Sequence, residues 1–547
     1  MGGMRHELSE TIPAFFAATV AARGREPALG YVRAGELHWR TWHEVADEAQ
    51  FLAGMIHAAG IEPGDRVAHV SENRYEWIIT DLAMHLAGAV HVPIHVTLAG
   101  EQIAEQIVDS GARLVFASNE ELLAKFAKLI GSNVRALVHD KWASTVTAHG
   151  NQPPAPSPHF PAPNDLATIL YTSGTTGRPR GVMLSQRNLA SNAAVAASAH
   201  GAGHDQTRLC ILPLSHIYAR TCDLYTWVYD GARLVLGESR DTLARDCQLV
   251  RPTALNAVPF LYQRIAEKIM ASGAADPSAA LRGFFGVRME RLTSGGAPLA
   301  PNVEAWYADQ GLPVLQGYGL TEAAPVISVS TFSANRFGSV GKPLPGMEVR
   351  IAADGEVLLR GPNVMLGYWH DQPGTAEAIR DGWLQTGDLG ELDGDNFLFI
   401  RGRKKELIVL STGKKVLPTR VENLLTASPM IEQAAVFGDH MCGLIALIVP
   451  NSAHHGGSAT CGLAEKTNAP DYESFAGEIN RCLQSAAHEE QVHHFKLLDR
   501  PFSIERGEMT PKLSLCRKTI EANFAAELEC MLPQRTQSSQ RVGEHKG

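Results

Sequence analysis

The sequence predicts an α/β protein: a large multi-sheet N-terminal domain followed by a smaller α+β C-terminal domain. Three observations carry this. Between residues 40 and 150, short apolar runs alternate with stretches of helical spacing, the pattern of a largely parallel sheet covered by helices. Residues 347 to 400 change to short strands punctuated by Asp354-Gly355, Asp381-Gly382 and Asp393-Gly394. Such dipeptides tolerate positive φ and favour tight antiparallel hairpins. After the basic cluster Arg401-Gly-Arg-Lys-Lys405 comes a segment of about 125 residues, long enough to enclose a core of its own.

Each element has a local reason. Thr41 to Ala59 carries apolar residues at helical spacing, Gly60 to Asp65 is a turn, and Arg66 to Val70 is a short apolar strand. Trp77 to Gly88 is helical again and Ala89 to Ile94 strand-like, followed by a proline-rich surface connection from Asn151 to Pro163. Further strands are expected at Thr168–Tyr171, Arg233–Leu236 and Val314–Gln316. The polar, patternless tail is expected to be disordered.

Composition excludes several classes. The chain has 547 residues, 45% hydrophobic and 20% charged, ordinary values for a globular enzyme. Lys plus Arg number 49 against 58 acids, giving −9, a poor balance for nucleic-acid binding. Eight scattered cysteines form no CxxC pair, so neither a disulfide scaffold nor a zinc ribbon is expected, and Cys210 and Cys222 read as structural. The N-terminus lacks a signal-peptide pattern. The most apolar region, Leu82 to Leu98, is interrupted by His85, His91 and His95, which argues against a membrane span. A cytoplasmic protein is expected, and contact with a membrane surface is compatible with this composition. His488 and His493 stand five apart, the wrong spacing for two ligands on one helix face, and His454-His455 and His493-His494 read as solvated.

The strongest chemical signal is Tyr171-Thr-Ser-Gly-Thr-Thr-Gly-Arg-Pro-Arg-Gly181, between a strand and a helical segment. Glycines let backbone N–H groups approach an anion, hydroxyls add donors, and Arg178 and Arg180 add charge, so the loop suits phosphate. It is not a Walker loop, and Gly317-Tyr-Gly319 is not a dinucleotide fingerprint. Downstream stand Leu212-Pro-Leu-Ser-His216, Thr293-Ser-Gly-Gly-Ala-Pro298, Gly317-Tyr-Gly-Leu-Thr-Glu322 and Gly361-Pro-Asn-Val-Met-Leu-Gly-Tyr-Trp369. Gly382-Trp-Leu-Gln-Thr-Gly-Asp388, Arg401-Gly-Arg-Lys-Lys-Glu-Leu-Ile408 and Gly413-Lys-Lys-Val-Leu-Pro418 complete the series. In this order the motifs resemble the adenylate-forming superfamily of acyl-CoA synthetases, luciferases and peptide-synthetase adenylation domains, from about residue 30 to 520. The segments Leu212 to Arg220 and Arg251-Pro-Thr253 most resemble bacterial long-chain fatty-acid CoA ligases.

The resemblance implies a fold, a reaction and a set of roles. The domains would be an ATP- and acyl-binding domain over 1–401, a hinge over 402–405 centred on Lys405, a mobile C-terminal domain over 406–530, and the tail 531–547. A fatty acid and ATP would give acyl-AMP and pyrophosphate, and CoA would then take the acyl group and release AMP. The alternatives are transfer to a carrier-protein thiol, an acyl-AMP ligase, and a nucleotide-binding homologue with impaired turnover. Thr172, Ser173, Gly174, Thr175, Thr176, Gly177 and Arg180 would hold the β- and γ-phosphates, with arginine standing where the family usually has lysine. Thr321 would meet the α-phosphate and Glu322 would hold Mg²⁺, a hard cation suited to carboxylate oxygen. Gly317, Tyr318 and Gly319 would pack on adenine opposite Gly296, Ala297 and Pro298. Asp388 would bind the ribose hydroxyls, Arg403 the nucleotide, and His216 would lie near the acyl carboxylate.

One departure generates a prediction. Long-chain ligases carry a lysine at the end of a segment resembling Leu-Thr-Pro-Thr-Leu-Lys, whereas this chain reads Met509-Thr-Pro-Lys-Leu-Ser514. On an extended segment Lys512 and Ser514 share a side, about 6 to 7 Å apart, a distance much of which a lysine side chain spans. Lys512→Ala is therefore expected to abolish adenylation while pre-formed acyl-AMP still reacts with CoA, and Ser514→Ala to do little. Intact adenylation in Lys512→Ala would refute the substitution.

Overall fold

The computed structural model describes residues 10–141, 161–172, 179–201, 203–451, 472–503, 505–509 and 515–531. The chain divides into two compact units, Met1–Ile400 and Arg401–Gly547.

In the first unit, a nine-stranded sheet takes the order Lys342–Pro343, Val326–Val329, Val314–Gly319, Arg291–Ser294, Ala254–Ala257, Thr207–Cys210, Arg233–Leu236, Pro27–Arg33 and Glu36–Thr41. Its central strands pair in parallel, and its edges are antiparallel. A seven-stranded sheet has the order Gly367–Tyr368, Arg180–Ser185, Leu166–Thr172, Val90–Ile94, Arg66–Val70, Leu114–Ala117 and Arg135–Val138. The alternation expected over residues 40 to 150 is therefore a parallel layer. The helix at Trp42–Ala58 starts where Thr41 and Glu44 cap each other's backbone, a device that satisfies two otherwise unpaired N–H groups.

Strand side chains alternate between cores, as the pleat requires. Leu114 and Phe116 enter one cluster and Val115 and Ala117 another. Leu234 and Leu236 join the first cluster, and Val235 joins a third with the helices Pro259–Ala271 and Pro277–Phe285. The largest cluster thus draws on both sheets and on the helices Trp42–Ala58, Tyr75–Leu86 and Gln186–Ala199.

The Asp-Gly segments lie in an antiparallel sheet built from Glu348–Ile351, Glu356–Arg360, Trp383–Leu392 and Ile379–Arg380. Asp381 and Gly382 both have positive φ, at 51° and 75°, as a tight hairpin demands. In the second unit, Ile431–Phe437, Leu444–Pro450 and Val492–Leu497 form a sheet. Ala434 and Val436 face one core with the helices Pro418–Thr426 and Tyr472–Cys482, while Ala435 and Phe437 face another with Arg517–Asn523 and Ala525–Met531. His493 and His494 are exposed on a strand of this sheet. Among the described residues, no helix is long and apolar enough to cross a membrane. His454-His455, most of the proline-rich connection and the tail from 532 lie outside the described residues.

A buried polar cluster ties the seven-stranded sheet to a single π-helical turn, Arg220–Tyr225. Arg220 Nε and Nη2 donate to Asp81 Oδ1 at 3.0 and 2.6 Å, and Nη1 donates to Thr168 Oγ1 at 2.8 Å. His91 Nδ1 lies 2.6 Å from the same Asp81 oxygen, His69 bridges His91 and His139 at 3.2 and 3.0 Å, and His85 lies 2.9 Å from the Tyr225 hydroxyl. Asp81 and Arg220 are fully buried. Removing one partner of such a pair typically costs about 3–5 kcal/mol because the other charge stays buried.

Burial, helped by the Arg220 guanidinium at His91 and the Arg74 guanidinium at His139, holds those imidazoles at about 4, and burial holds His85 at about 3. His69 is also held well below the ordinary value by burial. In an unfolded chain these groups titrate near about 6.5, so below that pH the unfolded chain takes up protons that the folded one refuses. Their contribution is complete above about 6.5 and is lost as pH falls towards about 4. Asp223, pushed up to about 7 by burial, acts in the opposite sense but is one group against four. The urea midpoint is expected to fall steadily from pH 7 to pH 4.5, and a flat profile would contradict this account.

Candidate functional site

Three of the expected site motifs leave the carboxyl ends of parallel strands of the nine-stranded sheet. Leu212 to His216 follows Thr207–Cys210, Gly295 to Pro298 follows Arg291–Ser294, and Thr321-Glu322 follows Val314–Gly319. In open α/β sheets, the carboxyl edge is where strands diverge into loops and ligands bind. Register places Ser294 beside Gln316, so the Gly296-Ala-Pro298 and Gly317-Tyr-Gly319 segments emerge side by side. Gly319 is required by space as well: a Cβ there would lie 1.8 Å from the Pro325 carbonyl oxygen.

Tyr318 is half-buried and its hydroxyl donates to Asp388 Oδ2 at 2.6 Å. Asp388 is buried at 4% exposure, and its backbone N–H donates to Thr386 Oγ1 at 3.1 Å. The residues expected at adenine and ribose thus touch each other. Gly387, with φ at +71°, lets the strand Trp383–Leu392 turn Asp388 inward, and its N–H donates to Glu356 Oε1 at 2.9 Å.

Thr321 and Glu322 lie in a short 3₁₀ turn. The segment after Gly361 clasps this turn: Met365 N–H donates to the Glu322 carbonyl at 2.9 Å, and Asn363 Nδ2 to the Ala323 carbonyl at 2.7 Å. Tyr368 donates to Glu322 Oε1 at 3.0 Å, and burial with the nearby Glu322 charge lifts its phenol well above the ordinary range. Arg180 lies with its guanidinium carbon 5.2 Å from the Tyr368 ring centre and Nε 3.5 Å from Asp371 Oδ2. Arg180, Tyr368 and Glu322 therefore form one patch. Among the described residues, no cluster of three or more His, Cys, Asp or Glu could hold a metal. Mg²⁺ commonly uses one or two carboxylates and takes its other oxygens from phosphate and water, and Glu322 fits that mode as a single hard donor.

His216 Nε2 lies 2.9 Å from His95 Nε2, and His95 Nδ1 lies 3.3 Å from Thr97 Oγ1. Thr172 ends its strand, but Ser173, Gly174, Thr175, Thr176, Gly177 and Lys512 lie outside the described residues. Arg403 ends the strand Leu398–Arg403, and Lys405 is exposed in the turn Lys404–Glu406 that follows. Both belong to the second unit. The sequence reading assigned no role to Tyr368, Asp371 or His95. Tyr368 sits inside a recognised motif and could have been singled out, whereas nothing local marks His95.

Comparison with known proteins agrees along the chain. Residues 16–369 match the AMP-binding enzyme family and residues 405–535 the AMP-binding enzyme C-terminal domain. A long-chain-fatty-acid–CoA ligase, FadD15 of Mycobacterium tuberculosis, is 34% identical over 555 residues, covering 90% of this chain and 92% of that protein. A feruloyl-CoA synthase from an Amycolatopsis species is 33% identical over 413 residues, covering 73% of this chain and 80% of its own length. The ATP-bound structure of MatB from Rhodopseudomonas palustris superposes with a TM-score of 0.78 at 24% identity, covering 94% of this chain and 99% of that one. The latter likeness concerns the fold.

The site geometry generates a prediction. Glu322→Ala is expected to lower ATP–pyrophosphate exchange by about a hundred- to a thousand-fold, the usual effect of losing one electrostatic stabiliser. Tyr368→Phe removes one hydrogen bond to that carboxylate and is expected to cost about ten-fold. Wild-type exchange in Glu322→Ala would overturn the assignment.

Proposed function

The chain belongs to the AMP-binding enzyme family, and we propose that it is a long-chain fatty-acid–CoA ligase. The acid's carboxylate attacks the α-phosphate of ATP, giving acyl-AMP and pyrophosphate. The CoA thiol then attacks the acyl carbon, AMP leaves, and a thioester forms. The observation that carries this reading is the match of both domains, along nearly their whole length, to curated long-chain ligases.

The first step concentrates negative charge on phosphate oxygens, so positioning and charge stabilisation dominate. In this reading the loop from Thr172 to Gly177, with Arg180, holds the β- and γ-phosphates, and arginine keeps the positive charge there. Thr321 meets the α-phosphate and Glu322 anchors Mg²⁺, which would neutralise phosphate charge. Tyr318 leaves Asp388 to stack on adenine against Gly296-Ala-Pro298, and Asp388 accepts from the two ribose hydroxyls. Arg403 adds charge at the nucleotide, Lys512 serves adenylation, and His216, oriented by His95, faces the acyl carboxylate. The C-terminal domain turns about Lys405 between the two half-reactions. Neither a carrier protein nor a membrane surface is needed for this chemistry.

The test is to supply ATP, Mg²⁺ and palmitate, then either CoA or a phosphopantetheinylated carrier, and to follow pyrophosphate and AMP. Pyrophosphate followed by CoA-dependent AMP release supports the ligase. AMP release only with the carrier would move the acceptor to a protein thiol, and no pyrophosphate would favour a homologue without turnover. The hinge generates a further prediction. Lys405→Pro fixes φ and is expected to depress one half-reaction much more than the other, whereas equal losses would indicate simple destabilisation.

A further inference from the structure

His95 and His216 come one from each of the two large sheets. His95 directly follows the parallel strand Val90–Ile94 of the seven-stranded sheet, and His216 ends the loop after Thr207–Cys210 of the nine-stranded sheet. Both therefore lie past a carboxyl end, where open α/β sheets place their chemistry. The two Nε2 atoms are 2.9 Å apart, and His95 Nδ1 lies 3.3 Å from Thr97 Oγ1. Both imidazoles are half-buried and Thr97 is exposed. The line His216, His95, Thr97 thus leads from the expected acyl carboxylate to solvent. The other line of touching imidazoles, His91, His69 and His139, is buried throughout.

Two ring nitrogens this close share one proton. Two hydrogens between them would collide, and none would leave two lone pairs face to face. The neutral pair therefore has two arrangements. In the first, His216 Nε2–H donates to His95 Nε2, and His95 Nδ1–H donates to Thr97 Oγ1. In the second, His95 Nε2–H donates to His216 Nε2, and the Thr97 hydroxyl donates to His95 Nδ1. Passing from the first to the second takes a proton in at His216 Nδ1 and puts one out at His95 Nδ1. Burial and the Arg240 guanidinium hold His95 below its ordinary pKa, which favours shedding the extra proton near pH 7.

Thioester formation needs such an exit. The CoA sulfur bonds to the acyl carbon, the bond from that carbon to the phosphate oxygen breaks, and AMP leaves with its electron pair. The thiol proton must go elsewhere. A thiol of ordinary pKa, about 8.5 for cysteine, is mostly protonated at pH 7. In the ligase reading, the attacked carbon belongs to the carboxylate that His216 faces.

We propose, resting on that reading, that His216 Nδ1 takes the CoA thiol proton, and that His95 is the positioning residue that orients His216 and passes a proton on to Thr97 and water. His216 is the catalytic residue of this step, and His95 acts through it.

The test uses full-length enzyme loaded with palmitoyl-AMP from ATP, Mg²⁺ and palmitate. It is mixed with CoA in a single turnover at pH 7 and at pH 9, and the pyrophosphate burst reports adenylation separately. His95→Gln keeps a hydrogen bond to His216 but relays no proton. At pH 7 it should slow thioester formation by about ten-fold, less than the roughly hundred-fold loss of a complete general base, since His216 remains. At pH 9, where the thiolate forms unaided, it should come within about two-fold of wild type. The pyrophosphate burst should fall far less than thioester formation does. Rescue at pH 9 also shows that the variant is folded. An equal deficit at both pH values, or equal losses in burst and thioester formation, overturns the relay, because a residue that only shapes the site is indifferent to whether the thiol is already ionised. Wild-type enzyme that releases no pyrophosphate with any long-chain acid overturns the ligase reading and the relay with it.

Discussion

Burying a guanidinium deep in a protein is tolerable only if a carboxylate and further acceptors meet it there. Arg220 satisfies this requirement through Asp81 and Thr168, and that requirement organises the first unit. Asp81 comes from the helix Tyr75–Leu86, His91 and Thr168 from adjacent strands of the seven-stranded sheet, and Arg220 from the π-helical turn. The turn belongs to the segment that also lies on the nine-stranded sheet through Asp223 and Asn256. One charged residue thus pins the short stretch between the two sheets. His216, one helical turn earlier, is held at the other end by His95, which follows the strand that carries His91. A π-helical turn inserts an extra residue into the helix and is common at functional sites. Here it carries the buried ionic anchor at Arg220.

The remainder of the site follows from strand polarity. Parallel strands bring the segments at Gly295 and Tyr318 to one edge, and the antiparallel strands Trp383–Leu392 and Gly367–Tyr368 supply the residues they meet. Tyr318 and Asp388 lie 70 residues apart and meet in a single hydrogen bond. Glu322 and Tyr368 meet across 46 residues. The protein spends little local structure on these contacts: a 3₁₀ turn, a glycine at 319 that permits close backbone approach, and a positive-φ glycine at 387. Tyr318, Glu322 and Tyr368 are half-buried, so these contacts lie nearer the surface than the Asp81–Arg220 pair.

What the sequence could reveal divides along the same line. The strand Arg66–Val70 and the helix beginning at Trp42 were readable because their signals are local: an apolar run after a turn, and a Thr41–Glu44 cap. The Asp381-Gly382 hairpin was readable because few residues accept its backbone angles. The residues proposed for the nucleotide were legible as motif positions because the motifs stand together in short segments. The strand order was not, since parallel pairing joins residues with no nearby signal. The Asp81–Arg220 pair spans 139 residues, and an aspartate and an arginine that far apart advertise nothing. His95 was seen only as an interruption of an apolar stretch, and the Asp223–Asn256 contact joins residues 33 apart. The loop residues 173–177 and Lys512 were legible as motif positions, and the description of the structure does not extend to them.

The central claim is that this site makes an acyl-adenylate and passes its acyl group to a thiol. The most direct measurement is a rapid acid quench of the full-length protein mixed with ATP, Mg²⁺ and a long-chain fatty acid in the absence of CoA, followed by mass detection of enzyme-bound acyl-AMP. The account predicts acyl-AMP in an amount approaching one per enzyme, matched by pyrophosphate, and its conversion to acyl-CoA and AMP when CoA is added. ATP bound without pyrophosphate release, with no acyl-AMP for any long-chain acid, would contradict it.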